Sequence, residues 1–263
     1  TDIVQDRAGR ERLKAVSGQM QPLAQHDRGD RGIEGEGMRT LVMRADGVEP
    51  RGGVGLENVA HDSDRHPDER VELAGGGDPI VYPWLKETVE HAKGHGMTVA
   101  INTNFALADD AWCDWACEVG LDDMTVSMWA GSAETYDATH PNKKPEDFLK
   151  LKEQITYLNK RKCELVRGPT VKLYQVVSNL NAREFRGMYD LVEQTDSDAV
   201  EFTVVDTVPG HTDILLFDEE SRERLLRESL DLQEELTARG EENRLFGYEQ
   251  WLRRLRCSGV TDG

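Results

Sequence analysis

Residues 71–85 read VELAGGGDPIVYPWL, and the reading of their middle decides the fold. A short apolar run ends in three glycines, an acid and a proline, and a helical pattern comes after them. Packing gives no reason for three glycines where a strand ends, because each gives up side-chain contacts and loses more backbone entropy on folding than any other residue. A main chain bared in this way is one that a ligand or another backbone approaches closely.

Downstream, short β-branched runs alternate with amphipathic stretches. In 83–94 the apolar Trp84, Leu85, Val89 and Ala92 recur at helical spacing after the strand-like 71–74. MTVAIN (97–102) predicts the next strand and 108–119 the next helix. MTVSM (124–128) predicts a third strand, followed by a loop, AGSAETYDATHPNKK, and a helix over 145–162. VKLYQVV (171–177) with 182–194, and AVEFTVV (199–205) with 219–239, complete five strand–helix pairs. Strands separated by helices need crossover connections, hence parallel pairing with right-handed crossovers. With a sixth strand near Leu41 in MRTLVM (38–43), the pattern predicts an α/β fold, a parallel TIM-like barrel or partial barrel rather than an open sheet, with an irregular N-terminal segment. The expected division is an irregular, poorly patterned 1–70, a barrel over 71–240, and a C-terminal tail over 241–263 that reads as an end cut short.

The segment before residue 70 is different text. It is rich in Arg, Asp, Glu and Gly, and every Phe, Tyr and Trp lies at or after Tyr82. Such a segment buries little apolar surface. The formal net charge of -18 repels phosphate, which excludes nucleic acid and anionic membrane surfaces as partners. With arginine favoured over lysine, it fits a salt-rich cytoplasm in which screening relieves self-repulsion. No apolar run reaches the roughly eighteen residues of a membrane span, and no signal-like segment opens the chain, so a soluble, cytoplasmic protein is expected.

The unusual residues stand where the predicted strands end: GGGDP (75–79), NTN (102–104), SMWAG (127–131), SNLN (178–181) and DTVPG (206–210). Any one reads as a turn or a cap, since Asn, Ser, Asp and Gly are the residues turns prefer. Five at one end of a parallel sheet read as a polar cavity, at the end where barrels collect their chemistry.

A strand ending in GGGDP, the next ending in INTN and a third reading TVSMWAG resemble the radical S-adenosylmethionine (radical SAM) enzymes. The resemblance covers residues 71–239. In that family the first motif is of GGE or GGEP type, so Asp78 stands where Glu is usual. The resemblance implies a partial (β/α)6 barrel whose glycine-rich backbone holds the amino group of the cofactor's methionine moiety. Gly75, Gly76, Gly77, Asp78 and Pro79 would then form the methionine end of an S-adenosylmethionine site, with Asn102, Thr103, Asn104, Ser127 and Asn179 lining the rest. It further implies a [4Fe-4S] cluster, held by three cysteines spaced CxxxCxxC after the first strand, and an electron donor. The reduced cluster splits the sulfonium, and the 5′-deoxyadenosyl radical takes a hydrogen atom from a small-molecule or peptide substrate.

The four cysteines are Cys113, Cys117, Cys163 and Cys257, and none precedes residue 71, where the cluster motif belongs. They are too sparse for a secreted disulfide scaffold. Cys113 and Cys117 are i,i+4 neighbours on a predicted helix and read as buried structural thiols. Cys163 reads as a lone thiol; Cys257 reads as a surface thiol or as the first ligand of a further cluster domain. No residue is therefore assigned as a metal ligand. Three accounts of 1–70 stand side by side: a degenerate barrel that binds ligand without making a radical, a stretch translated out of frame from a high-GC gene, or a cluster bound elsewhere. Two other functions stay open, a cluster-less binding module and a barrel enzyme whose GGG loop cradles a phosphate, since backbone N–H nests bind anions.

Further positions carry chemistry or structure. His140, beside Pro141, is either a ligand contact or part of a surface loop. Asp206 and His211 either contact adenine or substrate or organise a Pro-Gly turn. Glu201 and Thr203 alternate with Phe202 and Val204, so one or both of them are expected to point into the barrel, where a buried acid needs a partner or a ligand. The last helix reads as a solvated face with i,i+4 pairs such as Glu220 with Arg224.

Overall fold

The computed structural model describes residues 38–42, 70–74 and 77–257. Among the described residues seven strands form one sheet: β1 (Met38–Val42), β2 (Arg70–Ala74), β3 (Thr98–Thr103), β4 (Asp123–Ser127), β5 (Thr170–Val177), β6 (Ala199–Val204) and β7 (Leu245–Phe246). Their order in the sheet is their order in the chain. The pairs β1–β2, β2–β3, β3–β4 and β6–β7 are parallel. A doubly wound sheet reverses its strand order at a switch point; a sequential one winds in a single direction, as (β/α) barrels do. The α/β class predicted from the alternation is the one observed.

Helices α1 (Leu85–Gly94), α2 (Asp110–Val119), α3 (Ala133–Thr139), α4 (Pro145–Leu165), α5 (Phe185–Thr195), α6 (Glu219–Arg239) and α7 (Tyr248–Cys257) fall between and after the strands. Their ends follow local rules. Asp109 accepts the Trp112 amide at 2.8 Å at the start of α2, and Gly120 ends that helix at φ 71°, a left-handed conformation that glycine adopts without penalty. Helix α3 lies where the sequence predicts only a loop. Ser132 caps it by accepting the Thr135 amide at 3.2 Å, but seven residues with only Thr135 and Tyr136 buried are too few to show a period. Beyond Arg239, where the sequence predicts no element, lie β7 and α7. On α6, Arg224 pairs with Glu228 at 3.6 Å rather than with Glu220.

The chain divides into two compact units. One holds β1 to β3, α1, α2 and most of β4, with 154–172 of α4 and β5. Strand register sorts its faces: Val71, Leu73, Val99 and Ile101 share one side with Thr103, while Glu72, Ala100 and Asn102 share the other. The first side is buried, with Leu85, Val89 and Ala92 of α1 and Trp112, Cys113, Ala116 and Cys117 of α2 also buried. The other unit holds 127–153 and 173–257 among the described residues. Its core includes Phe185, Phe202 and Trp251, with ring centroids 4.5 to 5.9 Å apart. Among the described residues no helix is long and apolar enough to cross a membrane.

Candidate functional site

Gly75 and Gly76 lie outside the described residues. Gly77 is exposed, at φ 136°, a conformation L side chains rarely adopt. Asp78 fixes the turn after it. Its Oδ1 accepts the Ile80 amide at 2.9 Å, capping a 3-10 turn over Pro79–Val81 in which Pro79 is buried. The Thr103 hydroxyl lies 2.9 and 2.8 Å from the two carboxylate oxygens, and the Asn104 amide donates to Oδ2 at 2.6 Å. Thr103 Oγ1 also accepts the Phe105 amide at 2.8 Å. One carboxylate therefore ties the exit of β2 to the exit of β3 with charge-assisted bonds.

Asn102, Thr103 and Asn104 are brought to one strand end but not to one surface, because successive residues of a strand face opposite ways. Thr103, 3% exposed, turns to the buried side and Asp78. Asn102 turns to the other side, where its Nδ2 donates to Glu72 Oε1 at 2.6 Å. Asn104 is exposed, and its Oδ1 accepts the Ala106 amide at 2.9 Å in an Asx turn. Glu72 is a partner that sequence reasoning missed; its signal is an acid in the middle of an apolar strand.

Ser127 ends β4 in the other unit, half-buried. The loop after it is held by three side chains: Asn181, which ends the SNLN stretch marked in the sequence, and Gln175 and Glu184, which the sequence did not single out. Asn181 donates its Nδ2 to the carbonyls of Trp129, at 2.8 Å, and Val176, at 2.9 Å, and accepts the Ser178 amide at 2.7 Å. Gln175 accepts the Ala130 amide at 3.1 Å, and Glu184 takes the Gly131 amide and the Ser132 hydroxyl at 3.1 and 2.6 Å. Asn179 is exposed, and its backbone amide donates to Leu215. Of the two asparagines in SNLN, the second is buried. A glutamine at a buried phase of VKLYQVV was the legible signal for this network.

At the exit of β6 a cavity of about 300 Å³ is lined by Val204, Asp206, Leu215, Phe217 and Arg254, among others. Arg254, on α7, donates Nη1 to Thr203 Oγ1 at 2.8 Å and Nη2 to Asp206. Tyr174 hydrogen-bonds to Thr203, and burial pushes its phenol pKa up. Phe202, Thr203 and Val204 are all buried and Glu201 is half-buried, so burial does not alternate along β6. His211 is exposed on a turn in which its amide donates to Val208 and the Gly210 amide donates to Asp213.

His140 caps the end of α3. Its ring stacks on Tyr136 with centroids 4.1 Å apart and lies 5.5 Å from Trp129. Burial lowers its pKa to about 4, so near neutrality it is an uncharged member of an aromatic cluster.

Cys113 and Cys117 are buried, their sulfurs 3.9 and 4.0 Å from the carbonyls of Gln154 and Leu158. Burial pushes the Cys113 thiol to about 12 and raises Cys117. Both are buried against main-chain carbonyls of α4, and they are two where the cluster of the resembled enzymes takes three. Cys163 and Cys257 are exposed on separate helices. Among the described residues no group of three or more His, Cys, Asp or Glu could hold a metal ion. The described residues do not fit a [4Fe-4S] cluster.

No protein-family model matches the chain, and no curated protein matches it by sequence. Solved structures do. Native anSMEcpe with bound AdoMet and the Cp18Cys peptide is 17% identical, with a TM-score of 0.58 over 73% of this chain and 54% of that one. Streptococcus suis SuiB bound to S-adenosylmethionine is 15% identical, with a TM-score of 0.55 over 74% and 48%. SuiB bound to the precursor peptide SuiA is 15% identical, with a TM-score of 0.54 over 75% and 43%. At such identities the likeness is one of fold, and the chain has a radical-SAM-like fold. It spans about half the length of these structures.

Proposed function

We propose that the exits of β2 and β3 bind the methionine end of S-adenosylmethionine. The observation that carries this reading is the Asp78 tie, which holds an exposed glycine main chain beside the end of β3. A zwitterionic amino acid is recognised by such a surface through main-chain groups, and any side chain there would stand in its way. The pinned loop also lowers the ordering cost of binding. Matched structures hold this ligand under the same fold, which supports the reading. In it, Gly75, Gly76 and Gly77 contact the amino acid, Asp78 and Thr103 position the loop, and Asn102 presents its amide on the opposite strand face.

The family's radical chemistry needs three cluster thiolates, and this chain's cysteines do not supply them. The positions of Cys113 and Cys117 favour a second reading for the chain as it stands, a binding module that takes up the ligand without cleaving it. The substrate of a complete protein would be a small molecule or a peptide, the latter supported by the peptides bound to anSMEcpe and SuiB.

Titration of the purified chain with S-adenosylmethionine, and separately with inorganic phosphate, tests this reading. Saturable binding of S-adenosylmethionine with none of phosphate is expected. Binding of phosphate alone would turn the glycine loop into an anion cradle and reject the proposal.

A further inference from the structure

We propose that His91 and His95, at the C-terminal end of α1, form a surface site for a late first-row dication such as Zn2+, with water in the remaining positions. The inference rests on the unit that contains α1 and does not depend on what the exits of β2 and β3 bind. Helix α1 ends at Gly94 and β3 begins at Thr98, so the pair stands at the entry of β3. Roughly 17 Å of strand, from Thr98 to Thr103, separates that entry from the Asp78 tie.

The two histidines are four residues apart in HAKGH, the spacing that stacks side chains on one helix face. It is also the histidine spacing of HExxH zinc helices, but Ala92 stands where those place the general base, so binding rather than hydrolysis is the chemistry on offer. The rings have centroids 4.4 Å apart and planes inclined at 48°, and both residues are exposed. Two nitrogens on one zinc, each at about 2.0–2.1 Å, lie about 3 Å apart. Exposed rings this close reach that separation by small side-chain rotations.

One ligand atom is already selected. His95 Nδ1 lies 2.8 Å from the His91 carbonyl oxygen, and a carbonyl only accepts, so Nδ1 carries the proton. The lone pair of the neutral ring is then on Nε2, and the carbonyl orients the ring as the outer partners of metal-bound histidines do. Charge favours a cation at the same place. His95 is the C-cap of α1, its amide donating to the carbonyls of His91 and Ala92, where the helix dipole is negative. Lys93 lies about 200° round the helix from each histidine, and Asp122 holds its ammonium at 2.6 Å. The lysine of the last turn therefore does not oppose a dication.

Imidazole suits Zn, Ni and Cu, whereas Mg2+ and Ca2+ take oxygen ligands. A metal on both rings bridges the last turn of α1, which contains Gly94, a residue unfavourable within helices. The unfolded chain does not hold the two imidazoles together, so bound metal stabilises the fold.

NMR titration of the full chain with Zn2+, following the histidine ring signals, tests the site. Those of His91 and His95 should move together and saturate at one equivalent, and Mg2+ should move neither. His91→Asn and His95→Asn, both at exposed positions, should each weaken Zn2+ by at least about tenfold, because one imidazole does not chelate. Zn2+ should raise the melting temperature of the parent more than that of either variant. Ring signals that stay still, a shift of only one of the two, or a response to Mg2+ overturns the proposal. So does a Zn2+ affinity or melting shift unchanged in either variant, which would mean an adventitious ion held elsewhere. A chain that takes Zn2+ on this pair but does not bind S-adenosylmethionine leaves this site standing and removes the one at β2 and β3.

Discussion

Three donors converge on the Asp78 carboxylate: the amides of Ile80 and Asn104 and the Thr103 hydroxyl. Asp78→Ala leaves the buried Thr103 hydroxyl without its acceptor, so a loss of about 2 kcal/mol in stability is expected. S-adenosylmethionine affinity should fall with it, because the Gly77 loop is no longer pinned. Thermal melts check the first effect, and a variant as stable as the parent would show that the tie contributes little. His140 gives a pH signature. Its folded pKa lies near 4, below the ordinary 6.5, so the unfolded chain takes a proton that the folded one refuses. Stability contributed by the neutral ring is whole above pH 6.5 and is lost as pH falls from 6.5 towards 4, by about 2 to 3 kcal/mol. His140→Phe keeps the stacking and removes this term, so the variant should lose less stability than the parent over that window in denaturant titrations. At this scale the sequence showed which residues were unusual but not which atoms they meet. GGGDP announced a special main chain; that Asp78 would meet Thr103, twenty-five positions on, depends on the pairing of β2 with β3. The same holds for SNLN, where nothing local distinguishes exposed Asn179 from buried Asn181.

Helices and strands were more legible, because their periods are written in consecutive residues. The strands from β2 to β6 and the long helices α1, α2, α4, α5 and α6 follow from β-branched runs and apolar spacing. Helices α3 and α7 escaped. The first is short, and the second, YEQWLRRLRC, buries only Trp251, Leu252 and Leu255 among its charges. Element packing makes two predictions. Cys113 and Cys117 lie between α2 and α4 with raised pKa values. In the native chain only Cys163 and Cys257 should react with a thiol reagent at mildly alkaline pH; the buried pair should react on denaturation, and rapid native modification of all four would contradict the packing. Gly131 lies against α5, where an added Cβ would stand 2.9 Å from the Met188 amide nitrogen and 3.0 Å from the Gly187 carbonyl carbon. Backbone cannot move aside as a side chain can, so Gly131→Ala is expected to cost about 1 to 3 kcal/mol. Gly94→Ala meets nothing within 4 Å and ends a helix, so it should be neutral or stabilise by about 0.5 kcal/mol. Equal melting temperatures for the two variants would argue against the close approach of Gly131 to α5.

At the scale of the whole molecule, sequential strand order and the likeness to anSMEcpe and SuiB agree with the alternation read from the sequence. What the chain lacks is as specific as what it has. Strand β1 is paired in register with β2, so residues 43–69 connect them, and that connection, where the resemblance to radical SAM enzymes would put cluster ligands, contains no cysteine. If the composition break near residue 70 records a shifted frame, the coding DNA upstream of Val71 should hold a CxxxCxxC run in one of its other two frames. Its absence there would leave the cluster-less reading. The central claim, however, concerns the exits of β2 and β3, and calorimetric titration of the chain with S-adenosylmethionine addresses it most directly. Saturable one-to-one binding that weakens by about tenfold or more in Asp78→Ala is the expected result. No heat of binding, or an affinity unchanged by that substitution in a folded variant, would contradict it.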